Sequence, residues 1–156
     1  MRLWHISLIP YLPNQQLLAQ WRECVLIAEC LASKGTPNHI LVNRVLDYPA
    51  WHLADYGKSV VAEMKKRGYA VKDGSAHKFF SAVDNWAMSQ GKPKYDIRAI
   101  FGNWHNERYL LQCFRNLEEK YDCGGMGKEE YDRLCVGLLL LLKVAHANDK
   151  KVAAVQ

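Results

Sequence analysis

Asn14-Gln15-Gln16-Leu17-Leu18-Ala19-Gln20-Trp21-Arg22-Glu23 follows Pro13 directly and runs on unbroken to Ser33-Lys34-Gly35. Asn14 is read as the N-cap, because its short side chain can accept a hydrogen bond from an unpaired first-turn amide. Gly35 is read as the stop, because it tolerates the left-handed conformation that closes helices. At 100° per residue, one side collects Leu17, Leu18, Trp21, Cys24, Val25 and Ala28, an ordinary core stripe. The opposite side carries Gln15, Gln16, Gln20, Arg22 and Glu23, with Ala19, Leu26, Ile27 and Cys30 mixed among them. A fully solvated face would be more charged. Arg22 and Glu23 are therefore expected in a partly covered cleft, where a charge is less screened by water.

Working outward, Pro49 opens a second helix with Trp51, Leu53, Val60, Val61 and Met64 as its apolar positions and Lys65-Lys66-Arg67-Gly68 as a basic, glycine-terminated end. Between the two helices, Ile40-Leu41-Val42 and Val45-Leu46 fit either a short helix or a strand, since periodicity does not separate them at that length. A third helix is expected from Ala76 to Met88, closed by Gln90-Gly91-Lys92-Pro93. A fourth runs from Trp104 to Tyr121, closed by Gly124-Gly125. The fifth spans Lys128 to His146, and its Leu134, Val136 and Leu138 to Leu142 are apolar enough that most of its circumference should be covered. No alternating strand pattern and no repeat interrupts this series. The expected architecture is all-α, one compact domain of about five helices over residues 1–148, with a frayed tail at 149–156.

The chain has 156 residues, of which 49% are hydrophobic, enough for a real core, and a formal charge of +5 that favours an anionic partner without requiring one. Cys24, Cys30, Cys113, Cys123 and Cys135 form no closely spaced pair, so neither a disulfide framework nor a zinc site is indicated. No metal and no cofactor is expected. The opening Met1-Arg2-Leu3-Trp4-His5 meets Pro10 and Pro13 before a long apolar run can build, and so does not read as a signal peptide. Leu138 to Leu142 is too short to span a bilayer. These features lead us to expect a soluble, cytoplasmic monomer with no membrane partner.

Leu8, Leu12, Gln15, Leu17, Ala19, Arg22 and Glu23 fall in an order and spacing that resembles the phage pyrimidine-dimer DNA glycosylase/AP lyase (endonuclease V type) family. The opening from Met1 to Pro13 looks like a bacterial branch of it. A weaker likeness is Val60-Val61-Ala62-Glu63-Met64-Lys65-Lys66-Arg67-Gly68-Tyr69, similar to the family's basic helix end followed by glycine and an aromatic residue. The resemblance implies a helical glycosylase acting on damaged double-stranded DNA, with the N-terminal α-amine, here that of Met1, as nucleophile and Glu23 as the essential carboxylate. Arg22 would hold a phosphate or the damaged base, and Arg2 matches an arginine that follows the family's catalytic terminus. Three departures stand out. Counted back from Leu8, Met1 lies one residue farther out than that terminus, Gln16 replaces a histidine, and Leu26 replaces an arginine.

The chemistry of such a nucleophile stands apart from the likeness. An ordinary α-amine is roughly one part in seven unprotonated at neutral pH, against roughly one in 2,500 for an ordinary lysine. Attack at a sugar C1′ expels the base and leaves an iminium, so a nearby carboxylate is wanted to stabilise the cation and move protons.

Further candidates are weighed against plainer roles. His5 could donate to a phosphate or pack on Trp4. Lys65, Lys66 and Arg67, with Lys72, could contact phosphates or be a solvated helix end, and Gln15 lies on the same face as the expected cleft. Lys92, Lys94 and Arg98 around Tyr95 read as a solvated connector. Trp104-His105-Asn106-Glu107-Arg108 has no metal-ligand spacing, so Trp104 is expected in the core and the others as caps or surface. Two other functions fit the pattern: a DNA-binding helical module without chemistry, and a helical scaffold that oligomerises through its last helix.

Overall fold

A computed structural model describes the backbone of residues 1–153 and the side chains of residues 1–144. Five α-helices, α1 (Asn14–Lys34), α2 (Ala50–Lys66), α3 (Asp73–Ser89), α4 (Glu107–Asp122) and α5 (Lys128–Ala153), are joined by two 3-10 helices at Ile6–Tyr11 and Asn43–Asp47. There is no strand among the described residues, so the fold is all-α as the sequence indicates. The ambiguous 40–46 stretch is a turn leading into the second 3-10 helix. The tail expected from residue 149 lies, in its side chains and from residue 154 in its backbone, outside the described residues.

The start of α1 corrects one expectation. Pro13 occupies the N-cap position and Asn14 is already helical. The amide of Asn14 instead donates to Glu130 Oε1 on α5 at 2.8 Å, and Asn14 Oδ1 accepts from Arg67 at 3.0 Å. A carboxylate brought in by tertiary structure meets the positive end of the helix dipole, which the local side chain alone would meet less well. The other end is as read: Gly35 has φ 70° and its amide donates to the Leu31 carbonyl at 2.9 Å.

α1 is the central element, packed against α2 and α3 on one side and against the N-terminal segment on another. Its buried residues are Leu17, Gln20, Trp21, Cys24, Ile27, Ala28 and Leu31. Gln20 and Ile27, assigned from the sequence to the polar side, are therefore inside, because a helix covered from two directions buries a wider arc than one stripe. The Trp21 indole donates to Ser75 at 3.0 Å and packs on Phe79. Gly57 lets α2 approach α3, since a Cβ there would fall on the Phe79 ring. Gly137 lets α5 lie on the Tyr11 ring of the first 3-10 helix in the same way.

Two apolar expectations are also corrected. Trp51 is exposed, stacked on His52 at 3.8 Å between ring centroids. On α5, Leu134 and Leu138 face inward, whereas Val136, Leu139, Leu140 and Val144 are 49–60% exposed, so its outer side is uncovered. No helix among the described residues is long and apolar enough to cross a membrane.

Candidate active site

Residues 2 to 5 are neither helix nor strand, yet Leu3, Trp4 and His5 are buried. Buried backbone groups need partners, and here side chains from three helices supply them. Gln20 on α1 clamps two: its Oε1 accepts from the Trp4 amide at 2.9 Å and its Nε2 donates to the Arg2 carbonyl at 3.1 Å. Tyr109 on α4 donates to the Leu3 carbonyl at 2.7 Å, and Tyr56 on α2 donates to the Trp4 carbonyl at 2.8 Å. Burial pushes both phenols above their ordinary titration range, so they stay protonated as donors.

This scaffold delivers the terminus to Glu23. The Arg2 amide donates to Glu23 Oε2 at 2.9 Å, and the Met1 ammonium lies 4.0 Å from Glu23 Oε1. The Met1 and Glu23 side chains are 18% and 31% exposed, so the pair is partly covered but open to a ligand.

The pair opens onto a cavity of about 300 Å³ whose walls include Gln16 and Ala19 of α1, His39 and Leu41 of the following loop, and Asn116 and Lys120 of α4. The Arg2 guanidinium crosses it, donating to Asn116 Oδ1 at 3.0 Å and lying 5.3 Å from the Trp4 ring centroid. Against one carboxylate, Glu23, the lining sets the Met1 ammonium, Arg2 and Lys120. Such a cavity suits an anion whose reacting centre approaches the amine. Among the described residues, no three His, Cys, Asp or Glu side chains gather to hold a metal ion.

The remaining candidates separate. Arg22 is exposed, one step around the helix from Glu23, and does not line the cavity. Gln15 is exposed on the first turn of α1, and Lys65 and Lys66 are exposed at the end of α2. Two others are committed to the fold. His5 Nε2 donates to the His105 carbonyl at 2.7 Å and its Nδ1 accepts from the Ser7 amide at 3.2 Å, leaving nothing for a phosphate. Burial lowers its pKa, which keeps the ring neutral. His105, which the sequence places among caps and surface, is itself buried and accepts from the Ile6 amide at 3.0 Å.

Arg67 is the second of these. Its Nε donates to Glu63 at 2.7 Å, its Nη1 to the Leu12 carbonyl at 2.6 Å and its Nη2 to the Pro10 carbonyl at 2.9 Å. It ties off the end of the first 3-10 helix, where carbonyls lack helical partners, and so is spent on structure. Gln20, Asn116, Lys120 and His39 were not singled out from the sequence. Gln20 left a signal, a polar residue at the buried spacing of Leu17, Cys24 and Leu31, whereas the α4 residues reach the cleft only through the fold.

Comparison with protein families matches residues 1–76 to pyrimidine dimer DNA glycosylase. Neither the curated proteins nor the solved structures give a match. The matched stretch holds Met1, Arg2, Gln20 and Glu23, but not Asn116 or Lys120. Over residues 1–76, the stretch that carries the N-terminal amine and the carboxylate set against it, the chain is similar to the pyrimidine dimer DNA glycosylase family.

Proposed function

We propose that the protein is a DNA glycosylase with an associated AP lyase step, acting on pyrimidine dimers or a related base lesion in double-stranded DNA through the Met1 α-amine. The observation that carries this reading is the Met1 ammonium 4.0 Å from Glu23 at an open, cation-rich cavity. The unprotonated amine attacks C1′ of the damaged nucleotide. The C1′–N bond of the base breaks, the base leaves with a proton, and the sugar ring opens to give a protonated imine. Glu23 stabilises that cation and takes up the proton lost from C2′, which releases the 3′ phosphate by β-elimination. Water then hydrolyses the imine and frees the amine.

Arg2 and Lys120 would hold phosphates flanking the lesion, and the exposed Arg22 would hold a phosphate or the displaced base with its planar fork. Gln15, Lys65 and Lys66 would make outer contacts with the duplex. The reading is of a single domain over residues 1–148, working as a cytoplasmic monomer.

Borohydride reduction of the imine tests it. With an untagged chain of verified N-terminal mass, sodium borohydride should trap a covalent adduct with abasic-site DNA. Acetylating the terminus should abolish the adduct, and Glu23→Gln should slow its formation by about 10²–10⁴-fold. Absence of any adduct between pH 6 and 8, a window bracketing an ordinary α-amine pKa of about 7.8, would overturn the reading. Salt-dependent DNA binding without an adduct would indicate instead a binding module that lacks the chemistry.

A further inference from the structure

A second polar cavity, of about 370 Å³, is lined by Arg44, Asn106, Arg108, Tyr109 and Gln112. It is joined to the Met1 cleft by a shallow groove along α4. The groove shares Asn116 with the cleft, and Arg108 and Gln112 with the second cavity. Arg108, Gln112 and Asn116 recur every fourth residue, as does Lys120, so each neighbours the next on a ridge that winds slowly around the helix. From Asn116 to Arg108 the helix rises about 12 Å at about 1.5 Å per residue.

Among the described residues the two arginines, like Arg22, form no ion pair. Arg67 and Arg115 give their guanidinia to Glu63 and Glu118, whereas Arg44 and Arg108 meet no carboxylate within ion-pair distance among the described residues. Arg44 lies over the Trp104 ring, 5.7 Å from its centroid, which holds the fork and shields one of its faces from water. Arg108 stands in the first turn of α4, where the helix dipole is positive. Asn106 caps that turn by accepting from the Tyr109 amide at 3.0 Å. Glu107 is the one acid along the groove and is absent from the second cavity's lining.

We infer that Arg44 and Arg108 form a second phosphate site, gripping the backbone of the same duplex about 12 Å along α4 from Asn116 at the edge of the Met1 cleft. At about 3.4 Å of axial rise per nucleotide, a separation of about 12 Å would exceed two nucleotides, so the phosphate held there lies beyond those that flank the lesion. This rests on the DNA reading above and adds to it a footprint: the protein engages the duplex asymmetrically, reaching farther on the side that follows α4 toward its N-terminus. Paired guanidinium forks suit a phosphodiester, each offering two parallel donors.

The test measures binding of abasic-site duplexes across a salt series for the parent chain and for Arg44→Gln/Arg108→Gln, both folded by circular dichroism, with Arg108→Gln alone as a second variant. On a duplex extending at least eight nucleotides on both sides of the lesion, the double variant should flatten the slope of log K against log salt by about 1.8, and the single variant by about 0.9. On duplexes cut back to two nucleotides on one side, and then on the other, the difference between parent and variant should vanish for one of the two truncations. Unchanged slopes with a parent that still binds and is still trapped would overturn this inference and leave the repair reading standing. A difference that survives both truncations would overturn the placement of the phosphate. A parent that binds no duplex even at low salt would overturn both readings.

Discussion

Replacing Gln20 by leucine tests whether the terminus is delivered as described. The side chain is fully buried and holds the Trp4 amide at 2.9 Å and the Arg2 carbonyl at 3.1 Å. Leucine keeps the helix and nearly the same volume but leaves both backbone groups without a partner. Each stranded buried group costs about 1–3 kcal/mol, so the two together cost about 2–6 kcal/mol. Leucine's own burial offsets about 1.5–3 kcal/mol of that, and the expected net loss is about 1–3 kcal/mol.

A urea titration reads that loss as a lowered midpoint with an unchanged slope. The larger effect should be chemical. Met1 precedes Arg2, so releasing the Arg2 carbonyl frees the amine from its place beside Glu23. A misplacement of about 1 Å is enough to cost about 100-fold in rate. Single-turnover borohydride trapping, done under conditions where the variant is folded and saturated with abasic DNA, should slow by about that factor. A variant that loses less than about 0.5 kcal/mol and is trapped at the parent rate would refute the claim that Gln20 positions the nucleophile.

Three further outcomes follow from the packing. Arg67→Ala strands the Glu63 carboxylate and several carbonyls, so it should destabilise by about 3–5 kcal/mol while leaving the salt slope of DNA binding intact; a flattened slope with little loss of stability would restore it as a phosphate contact. Gly57→Ala should lower the melting temperature despite alanine's better helix propensity, because overpacking against Phe79 costs about 1–3 kcal/mol or more; a raised melting temperature would contradict the close approach of α2 and α3. Stability should fall on acidification below pH 6.5: burial lowers the pKa values of His5, His52 and His105, so the unfolded chain takes up protons that the native one refuses. Each such histidine makes the slope steeper by up to about 1.4 kcal/mol per pH unit, with full stability above that pH, and a flat profile from pH 7 to 5 in urea titrations would refute their buried neutrality.

Much of the helical layout was legible because it is written in local terms. The apolar spacing of α1, the glycine at 35 and Pro49 ahead of α2 mark boundaries that a few neighbouring residues decide. The third and fourth helices were displaced at their starts, α3 beginning at Asp73 and α4 only at Glu107, because Asn106 supplies a better cap than anything near Trp104. The facing of α1 was misread at Gln20, since a wheel counts polar atoms without knowing that an unpaired strand of backbone lies opposite. His5 and Arg67 carry side chains suited to phosphate, and nothing local discloses that carbonyls more than fifty residues away in sequence claim them.

By itself, then, the sequence determined an all-α chain and set Glu23 on the first helix, near Met1 in the chain. Those depend on propensity, capping and covalent order, which are short-range. Only the tertiary structure decided that Met1 and Glu23 meet at 4.0 Å, and that Asn116 and Lys120 close the far wall of their cleft. The physical reason is the peptide at residues 2 to 5: buried without helix or strand, it must borrow hydrogen bonds from Gln20, Tyr56 and Tyr109, and the place where α1, α2 and α4 can offer them together fixes where the amine ends.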